Sequence, residues 1–270
     1  MPAPTADALA EALRPLREEP ARAAILCDID GTLAPIVERA DDARVPEEVA
    51  VLLGRLARRY GCVACISGRS AAEARRLVGV GGIAYAGSHG AELLAPGDAS
   101  PRVAPDFKGW EHRVRRFAAE RGTPDLRLLR IRTEDKGPIA AFHWRGVPNE
   151  DQARVRLEGL AQEAESAGLA THWARKVLEI RPPVALDKGQ AVRDILGRSH
   201  AQAALFGGDD ATDLDAFRAL EGLLADGELE HLVRVGVASD EGPPGIVEQA
   251  DLVVEGVRGF ARVLEVLAQA

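Results

Sequence analysis

Short apolar runs alternate with amphipathic segments along the first third of the chain. The run AAILC at 23–27 is followed by acidic residues, and the run CVACI at 62–66 is followed by a serine and a glycine. Runs of this length, bounded by turn-forming residues, are typical of buried strands. Their alternation with helices predicts a parallel α/β sheet. We predict strands at 23–31, 62–66 and 83–86, and helices at 5–18, 46–60 and 70–78.

The alternation is interrupted in the middle of the chain. The Pro/Gly/Ser-rich segment 95–105 predicts a linker, and a helix, two strands, a helix and two more strands follow it. The first strand pair is predicted in LRLLRIRTEDKG (126–137) and IAAFHWRG (139–146), and the second in ATHWARKVLEIRP (170–182). Strand–helix alternation resumes at Lys188. We therefore predict an α/β fold with a Rossmann-like parallel-sheet core and an inserted smaller α+β domain. The core would be discontinuous, at 1–100 and 185–270, and the inserted domain would span 106–182.

Composition and charge narrow the functional class. The chain has 270 residues, 46% of them hydrophobic, and 34 basic against 42 acidic side chains give a net charge of −8. A negative net charge argues against bulk nucleic-acid binding as the main function. No apolar run approaches the ~20 residues that span a membrane, and the acidic N-terminal segment lacks an apolar signal core. We expect a monomeric cytoplasmic enzyme with no membrane or nucleic-acid partner.

The three cysteines provide no disulfide framework. Cys62 and Cys65 form a CxxC motif, which in other contexts marks redox or zinc sites. Here the motif lies in an apolar strand, where positions three apart face opposite sides, and no second cysteine pair completes a zinc site. We interpret Cys27, Cys62 and Cys65 as core residues.

The first candidate for chemistry is the motif LCDIDGTL at 26–33. Asp28 and Asp30 end a buried strand and face the same way. Because ligands of open α/β sheets bind at the carboxyl ends of strands, these carboxylates and the Thr32 hydroxyl are expected where chemistry occurs. A calcium loop is excluded, because Thr32 replaces the third acidic ligand and a strand precedes the motif. The structural alternative is a strand that ends in a solvated Asx turn.

A second acidic cluster, FGGDDATDLDAF at 206–217, also follows an apolar strand and opens a helix. Helix capping by aspartate is the structural alternative, but capping requires only one or two carboxylates. The carboxylates of Asp209, Asp210 and Asp213 would repel one another at this distance unless a cation lies among them. An oxygen-rich site with few carboxylates suits Mg²⁺.

Two further strand exits carry polar residues. CISGR places Ser67 and Arg69 after the second strand, and LDKGQ places Lys188 where the alternation resumes. A hydroxyl, an ammonium group and backbone N–H donors beside a metal form an anion site suited to a phosphoryl group. Taken alone, Ser67 is better explained as a helix cap and Lys188 as a solvated lysine, so the location of these residues carries more weight than their identity.

Four strand ends carry, in chain order, an Asp-x-Asp motif, a serine, a lysine and an Asp cluster. This ordered set resembles the haloacid-dehalogenase superfamily of phosphohydrolases. The resemblance implies that Asp28 attacks phosphorus, and that Asp30 protonates the leaving oxygen and then activates water. It implies that Mg²⁺ is held by Asp28, the backbone carbonyl of Asp30, and Asp209, with Asp210 and Asp213 in the same metal cluster. Phosphate would be held by Thr32, Ser67 and Lys188, and Lys188 would also be catalytic.

Further motifs resemble the trehalose-6-phosphate phosphatases within this superfamily: AGSHGAE, TEDKG, AFHWR, KVLEIRP and GGDDATD. This resemblance implies a small-molecule phosphosugar substrate, trehalose 6-phosphate, and the final step of trehalose biosynthesis. It also implies that the inserted domain is a cap that closes over the sugar and excludes water. The implied substrate-binding residues are Arg69, His89, Glu92, Glu134, Lys136, His143, Arg145, Lys176, Glu179 and Arg181.

Two positions depart from the family pattern, which usually has an acidic residue where Leu214 stands and often an aromatic residue at Ile29. Two alternatives therefore stay open: a phosphatase of another phosphosugar or pseudo-disaccharide phosphate, and a non-catalytic phosphosugar-binding protein. The cap residues also have structural alternatives as hairpin-turn residues or surface ion pairs, and His89 as a partner of a backbone carbonyl.

Overall fold

The computed structural model divides into two compact units. The larger is formed by Met1–Arg102 and Leu186–Ala270, and the smaller by Val103–Ala185. The boundaries predicted at residues 106 and 185 lie outside the described residues. The structure describes residues 4–37, 42–104, 107–121, 124–174, 176–184, 187–239 and 242–269.

The first block of the larger unit contains the predicted strand–helix alternation and two additional short strands. Its elements are α1 (Ala6–Ala12), α2 (Arg14–Glu18), β1 (Ala23–Cys27), α3 (Glu47–Leu56), β2 (Cys62–Ile66), α4 (Ala71–Val78), β3 (Ala84–Gly87), β4 (Glu92–Leu94) and β5 (Arg102–Val103).

The smaller unit follows, and the second block of the larger unit completes the chain. The smaller unit contains α5 (Trp110–Arg121), α6 (Pro124–Leu128), β6 (Arg132–Asp135), β7 (Ala140–His143), α7 (Glu150–Ser166), β8 (Ala170–Ala174) and β9 (Val177–Arg181). The second block contains α8 (Lys188–Leu196), β10 (Ala203–Gly208), α9 (Asp213–Ala225), β11 (His231–Ala238), α10 (Pro244–Gln249), β12 (Leu252–Glu255) and α11 (Gly256–Ala268).

One eight-stranded sheet has the order β12-β11-β10-β1-β2-β3-β4-β5, and its last strand, β5, lies at the boundary between the two units. Pairing is parallel from β12 through β3, and β3 pairs with β4 in antiparallel orientation. In this register Cys27 at the end of β1 lies between Gly207 of β10 and Cys65 of β2. The carboxyl ends of the three strands that precede the acidic and serine motifs therefore meet at one edge of the sheet.

Both faces of this sheet are buried. Ile25 belongs to the apolar cluster on one face, which includes residues of α3, α4 and α11. Its neighbour Leu26 belongs to the cluster on the other face, with residues of α8, α9 and α10. Because successive strand residues face opposite sides, a continuous apolar run such as AAILC is what a doubly covered parallel sheet requires.

The smaller unit has an antiparallel sheet of order β6-β7-β9-β8. One face of this sheet is apolar: Phe142, Leu178 and Ile180 are fully buried in a cluster with residues of α5 and α7. The register aligns Glu134, Ala141, Glu179 and His172 in one row across the strands. Residues that are paired across strands share a face, so this row belongs to the opposite, polar face.

The fold class predicted from the sequence, a parallel α/β core with an inserted smaller α+β domain, is confirmed. Three local predictions differ from the structure. Residues 5–18 form two helices rather than one, with Pro15 in the first turn of α2. The segment predicted as a linker contains β5, which extends the sheet edge. Residues 126–128, predicted to begin a strand, belong to α6.

Of the helices in the described ranges, none has the length and apolar content needed to cross a bilayer.

Glycine at position 87 allows β3 to pass close to the first turn of α4. A Cβ atom built on Gly87 would lie 2.0 Å from the backbone nitrogen of Ala71. We expect Gly87→Ala to lower the free energy of unfolding by about 1–3 kcal/mol, because the rigid backbone must shift. The change is measured by urea denaturation.

Gly54 provides a matched control inside α3, where an added Cβ would meet nothing within 4 Å. Gly54→Ala is expected to raise the free energy of unfolding by roughly 0.5–1 kcal/mol, because alanine loses less backbone entropy than glycine in a helix. A Gly87→Ala protein as stable as the wild type would contradict the close approach.

Candidate active site

The turn after β1 is shaped to bring acidic side chains together at the carboxyl edge of the sheet. The Asp28 N–H donates to the Gly207 carbonyl at 2.9 Å, so β1 stays paired with β10 up to this residue. Gly31 then adopts a φ of 95°. A Cβ atom on Gly31 would lie 2.1 Å from the nearer carboxylate oxygen of Asp209. Glycine is therefore required here both for the backbone conformation and for the approach of Asp209.

Lys188 is the central cation of this edge. Its Nζ donates to Asp28 Oδ1 at 2.7 Å and to Asp213 Oδ1 at 2.6 Å. All three side chains are buried, and Lys188 is 2% exposed. Lys188 is the first residue of α8, whose N-terminus is capped by Asp187 through the Gln190 N–H at 2.7 Å. A buried charge is tolerated only when it is paired, so this ion cluster fixes three chain segments relative to one another.

Asp213 organises the loop that carries the other acidic residues. Its second oxygen, Oδ2, accepts hydrogen bonds from the backbone N–H of Asp209 at 2.9 Å and of Asp210 at 3.0 Å. Both Asp213 oxygens thus have donors, and the side chain is completely buried. Asp210 instead accepts from the N–H and the hydroxyl of Thr212. Asp210 thus closes a turn onto Thr212, and α9, whose N-cap is Thr212, has no side-chain cap. Helix capping therefore does not explain this acidic cluster, and Asp213 instead anchors the loop to Lys188.

At this edge of the sheet, the acidic side chains around Lys188 outnumber the single ammonium group, and their pKa values reflect this imbalance. Burial would lower the pKa of Lys188, but Asp213 and Asp28 raise it well above its ordinary value, so the ammonium group stays protonated. Burial raises the pKa of Asp28 well above its usual range, against the lowering effect of Lys188. Burial, with the nearby charges of Asp213 and Asp210, raises the pKa of Asp209 to about 7.

The same carboxylates fit a divalent cation. Ligand oxygens of Asp28, Asp209 and Asp213 all lie within 4.8 Å of one another. Hard carboxylate oxygens in a small group are the donors that Mg²⁺ prefers. A cation beside Asp209 would lower its raised pKa and favour the ionised carboxylate. Since Asp213 already has donors at both oxygens, Asp28 and Asp209 are the better-placed side-chain ligands.

The hydroxyl groups predicted to hold phosphate lie near this edge. Thr32 is fully buried, and its Oγ1 donates to Asp209 Oδ1 at 3.4 Å. Ser67, which is 1% exposed, follows β2 and accepts the N–H of Arg69 at 3.2 Å through its Oγ. The structure thus brings together the Asp28, Thr32, Lys188 and Asp209 segments and places Ser67 at the end of the neighbouring strand.

Asp30 faces a different partner from the other carboxylates. Its Oδ2 and Oδ1 accept from Nε and Nη2 of Arg69, each at 2.7 Å. The third Arg69 nitrogen, Nη1, donates to Glu73 Oε1 at 2.6 Å. The Asp30 carboxylate is therefore outside the Asp28–Asp209–Asp213 group, and the Asp30 backbone carbonyl remains the metal ligand predicted for this residue.

The segment after β3 carries two more of the predicted substrate residues. Ser88 and His89 both adopt left-handed φ values, 50° and 56°, and Gly90 follows at 101°. The His89 ring packs over Gly68, where a Cβ would lie 2.8 Å from its Nε2. Strained residues of this kind concentrate at functional sites. Glu92, by contrast, is buried, and its carboxylate accepts the Ala71 N–H at 2.9 Å at the start of α4, which is a structural role.

The remaining predicted substrate residues belong to the smaller unit. His143 Nε2 and Glu134 Oε2 are 2.7 Å apart, and this hydrogen bond is the main cause of the lowered pKa of Glu134. Lys136 Nζ donates to Glu179 Oε1 at 3.2 Å. The polar face of this sheet is thus an array of paired charged groups.

Three further residues of that set have different settings. Arg181 Nε donates to Glu179 Oε2 at 2.9 Å, so Glu179 links Arg181 to the array. Lys176 pairs with Glu150 at the start of α7, and Arg145 is exposed. The substrate-binding role of the residues in the smaller unit stays a prediction.

Glu73 is the residue of the larger unit's polar network that the sequence interpretation missed. In the sequence it follows Ser70 by three positions, a spacing typical of a helix capping box. The signal that could have identified it is its position four residues after Arg69, which places the two side chains on one side of a helical turn.

Comparison with known proteins gives the family. The Trehalose-phosphatase family model matches residues 26–242. The trehalose-phosphate phosphatase of Mycobacterium avium is 36% identical over 212 residues, which are 74% of this chain and 51% of that protein. An uncharacterized glycosyl hydrolase of Mycobacterium tuberculosis is 35% identical over 207 residues, 74% of this chain but 15% of that protein. The chain thus spans about half the length of the first relative and a small part of the second.

A solved structure shows the same fold. The C-terminal domain of the trehalose-6-phosphate phosphatase of C. albicans has a TM-score of 0.72 and 20% sequence identity, covering 99% of this chain and 97% of that one. The family model matches well over half of the chain, and its span includes the strand ends that carry Asp28, Ser67, Lys188 and Asp209. The chain belongs to the trehalose-phosphatase family.

Proposed function

We propose that this chain is a Mg²⁺-dependent phosphatase that hydrolyses trehalose 6-phosphate to trehalose and phosphate through an aspartyl-phosphate on Asp28. The observation that carries the proposal is the buried Lys188, which contacts both Asp28 and Asp213 at the carboxyl edge of the parallel sheet. The support for the sugar is the family match and the names of the relatives.

In the first step, Asp28 attacks the phosphorus atom of the substrate. Lys188 occupies Asp28 Oδ1, which leaves Oδ2 as the attacking oxygen. The bond from phosphorus to the sugar oxygen breaks as the bond to Asp28 forms, and Asp30 donates a proton to the departing oxygen. Lys188, Thr32 and Ser67 bind the phosphoryl oxygens, because an ammonium group and hydroxyl donors offset their charge.

In the second step, water attacks the phosphorus of the aspartyl-phosphate. Asp30 takes the proton of this water, the bond between phosphorus and Asp28 breaks, and inorganic phosphate leaves. Both carboxylates return to their starting state, so the net reaction consumes one water per phosphate released. Asp28 and Asp209 would hold a divalent cation, which would offset the negative charge on the transferring phosphoryl group.

The proposal extends to the setting in which the protein works. All three cysteines are free, which supports a reducing compartment such as the cytoplasm. We retain the monomeric state expected from the sequence. The polar face of the smaller unit offers carboxylates, lysine and arginine, groups of the kind that bind sugar hydroxyls and phosphate, and this supports its predicted role in recognising the sugar.

The direct test of this function is phosphate release from trehalose 6-phosphate, with Mg²⁺ and with EDTA. Sucrose 6-phosphate, glucose 6-phosphate and mannose-type phosphates serve as comparisons. We expect turnover that requires Mg²⁺ and favours trehalose 6-phosphate, and a loss of at least about 10³-fold in Asp28→Asn.

Other results of this assay discriminate between the remaining functions. Activity on a different phosphosugar would keep the chemistry and replace the substrate. No release of phosphate from any ester by the folded protein would contradict the proposal and favour a phosphosugar-binding protein.

A second prediction concerns the coupling of Mg²⁺ binding to pH. The pKa of Asp209 is raised to about 7 in the folded, metal-free protein, so protonation of this residue stabilises the folded state. This contribution to the free energy of unfolding is complete below the ordinary aspartate pKa and is lost as the pH rises through about 7. Mg²⁺ must displace that proton, so its affinity falls as the pH falls below about 7.

Thermal unfolding with and without Mg²⁺ measures this coupling. We expect Mg²⁺ to raise Tm more at pH 8 than at pH 5.5, because at the lower pH it must displace the proton of Asp209. At 100 times its Kd, bound Mg²⁺ stabilises the folded state by about 2.7 kcal/mol. Asp209→Asn should abolish most of the rise at both values. An equal rise at the two pH values in the wild type would contradict the assignment of Asp209.

A further inference from the structure

The Arg69 guanidinium is divided between two carboxylates from different segments. Two of its nitrogens bind both oxygens of Asp30 at 2.7 Å, and its third nitrogen binds Glu73 Oε1 at 2.6 Å. The side chain of Arg69 is 11% exposed and that of Glu73 19%. Contacts with carboxylates on two sides fix the plane of the largely buried Arg69 guanidinium, and the carboxylate that it binds through two nitrogens lies in the same plane.

Glu73 is the rigid end of this chain of contacts. It lies in the first turn of α4, and the Ser70 side chain at the N-cap accepts its backbone N–H at 3.2 Å. In a capping box, the glutamate side chain would return to the N-cap backbone N–H. Here the carboxylate instead contacts the guanidinium of Arg69, four residues earlier.

Asp30 is the more exposed end of this chain of contacts: it lies in the turn after β1, and its side chain is 37% exposed. The backbone of this turn is held by the Gly31 N–H, which donates to the Ala34 carbonyl at 2.7 Å. The carboxylate itself is oriented by Arg69. Each carboxylate oxygen has about two lone-pair positions, so each oxygen can accept one Arg69 N–H and keep one position for proton exchange.

We infer that Glu73 is a positioning residue, which holds the Arg69 fork so that Asp30 presents its carboxylate to the reacting oxygen. This inference rests on the proposed function, because the proton transfers by Asp30 are part of it. It gives Arg69 a role beside the substrate contact that the resemblance implies, because each of its three guanidinium nitrogens donates to Asp30 or Glu73.

A double-mutant cycle separates positioning through Asp30 from every other role of Glu73. The variants are Asp30→Ala, Glu73→Ala and the combination of both, with turnover of trehalose 6-phosphate measured as kcat and KM separately. We expect Glu73→Ala to lower kcat about 10-fold with KM within about twofold, less than the ~10²–10⁴-fold attributable to acid–base catalysis itself. In the Asp30→Ala background the same change should alter kcat less than about twofold, because the residue it acts through is gone.

Two variants serve as matched controls. Glu73→Gln keeps an oxygen acceptor for Arg69 and should recover most of the kcat lost in Glu73→Ala. Arg76→Ala removes a charge from an exposed position of the same helix and should match the wild type.

An aryl phosphate adds a readout that a merely structural role would not change. Its leaving group departs without a proton, so we expect the first-turnover release of the phenol to keep its wild-type rate in Glu73→Ala, while release from the sugar phosphate slows.

Each contrary outcome has a different meaning. An equal loss of kcat in both backgrounds, a change confined to KM, or an equal slowing of the aryl and sugar substrates would overturn the positioning role while leaving the phosphatase intact. A wild-type protein that releases phosphate from neither substrate would remove the proposed function, and this inference with it.

Discussion

The ion cluster of Lys188 with Asp28 and Asp213 is the interaction on which the rest of this site depends. Desolvating a charge costs several kcal/mol, so Lys188 is stable at 2% exposure only because two carboxylates are within 2.7 Å. The cluster joins the end of β1, the start of α8 and the start of α9. The same contacts keep Lys188 protonated, while burial and the neighbouring carboxylates raise the pKa of Asp209, a shift that a bound divalent cation would reverse.

The fold supplies the positions for this cluster through ordinary parallel-sheet geometry. Parallel pairing of β1 with β10 and with β2 aligns their carboxyl ends, and apolar residues on both faces fix the register. Glycines allow the close approaches that follow: Gly31 admits the Asp209 carboxylate, and Gly87 lets β3 pass the start of α4. Arg69 contacts both Asp30 and Glu73, so the same kind of ion pairing extends from Asp28, the proposed nucleophile, to Asp30, the proposed proton-transfer residue.

The sequence is informative about the site because its chemistry lies at strand ends, where pattern and motif coincide. The strands that precede Asp28, Ser67 and Asp209 are continuous apolar runs, and the structure has a strand at each. The β5 strand was missed because a Pro/Gly/Ser-rich segment predicts a linker, although sheet pairing stabilises two of its residues. The helix α6 was missed because a short apolar run such as LRLL has no periodicity that separates helix from strand.

Side-chain partners are the part that the sequence could not supply. Asp209, Asp210 and Asp213 look equivalent along the chain, yet Asp213 contacts Lys188 and Asp210 caps a turn through Thr212. Glu92 carries a family motif but binds a helix N-terminus, and Glu73 resembles a capping residue but binds Arg69. These choices depend on distances between segments far apart in sequence, which no local pattern encodes.

The most direct test of the account is chemical trapping of the covalent intermediate. Reduction with borohydride during turnover of trehalose 6-phosphate converts an aspartyl-phosphate to homoserine, which peptide mass spectrometry locates. We expect this conversion at Asp28 and at no other carboxylate, and only when the substrate is present. Sustained phosphate release with Asp28 unmodified, or modification of a different residue, would contradict it.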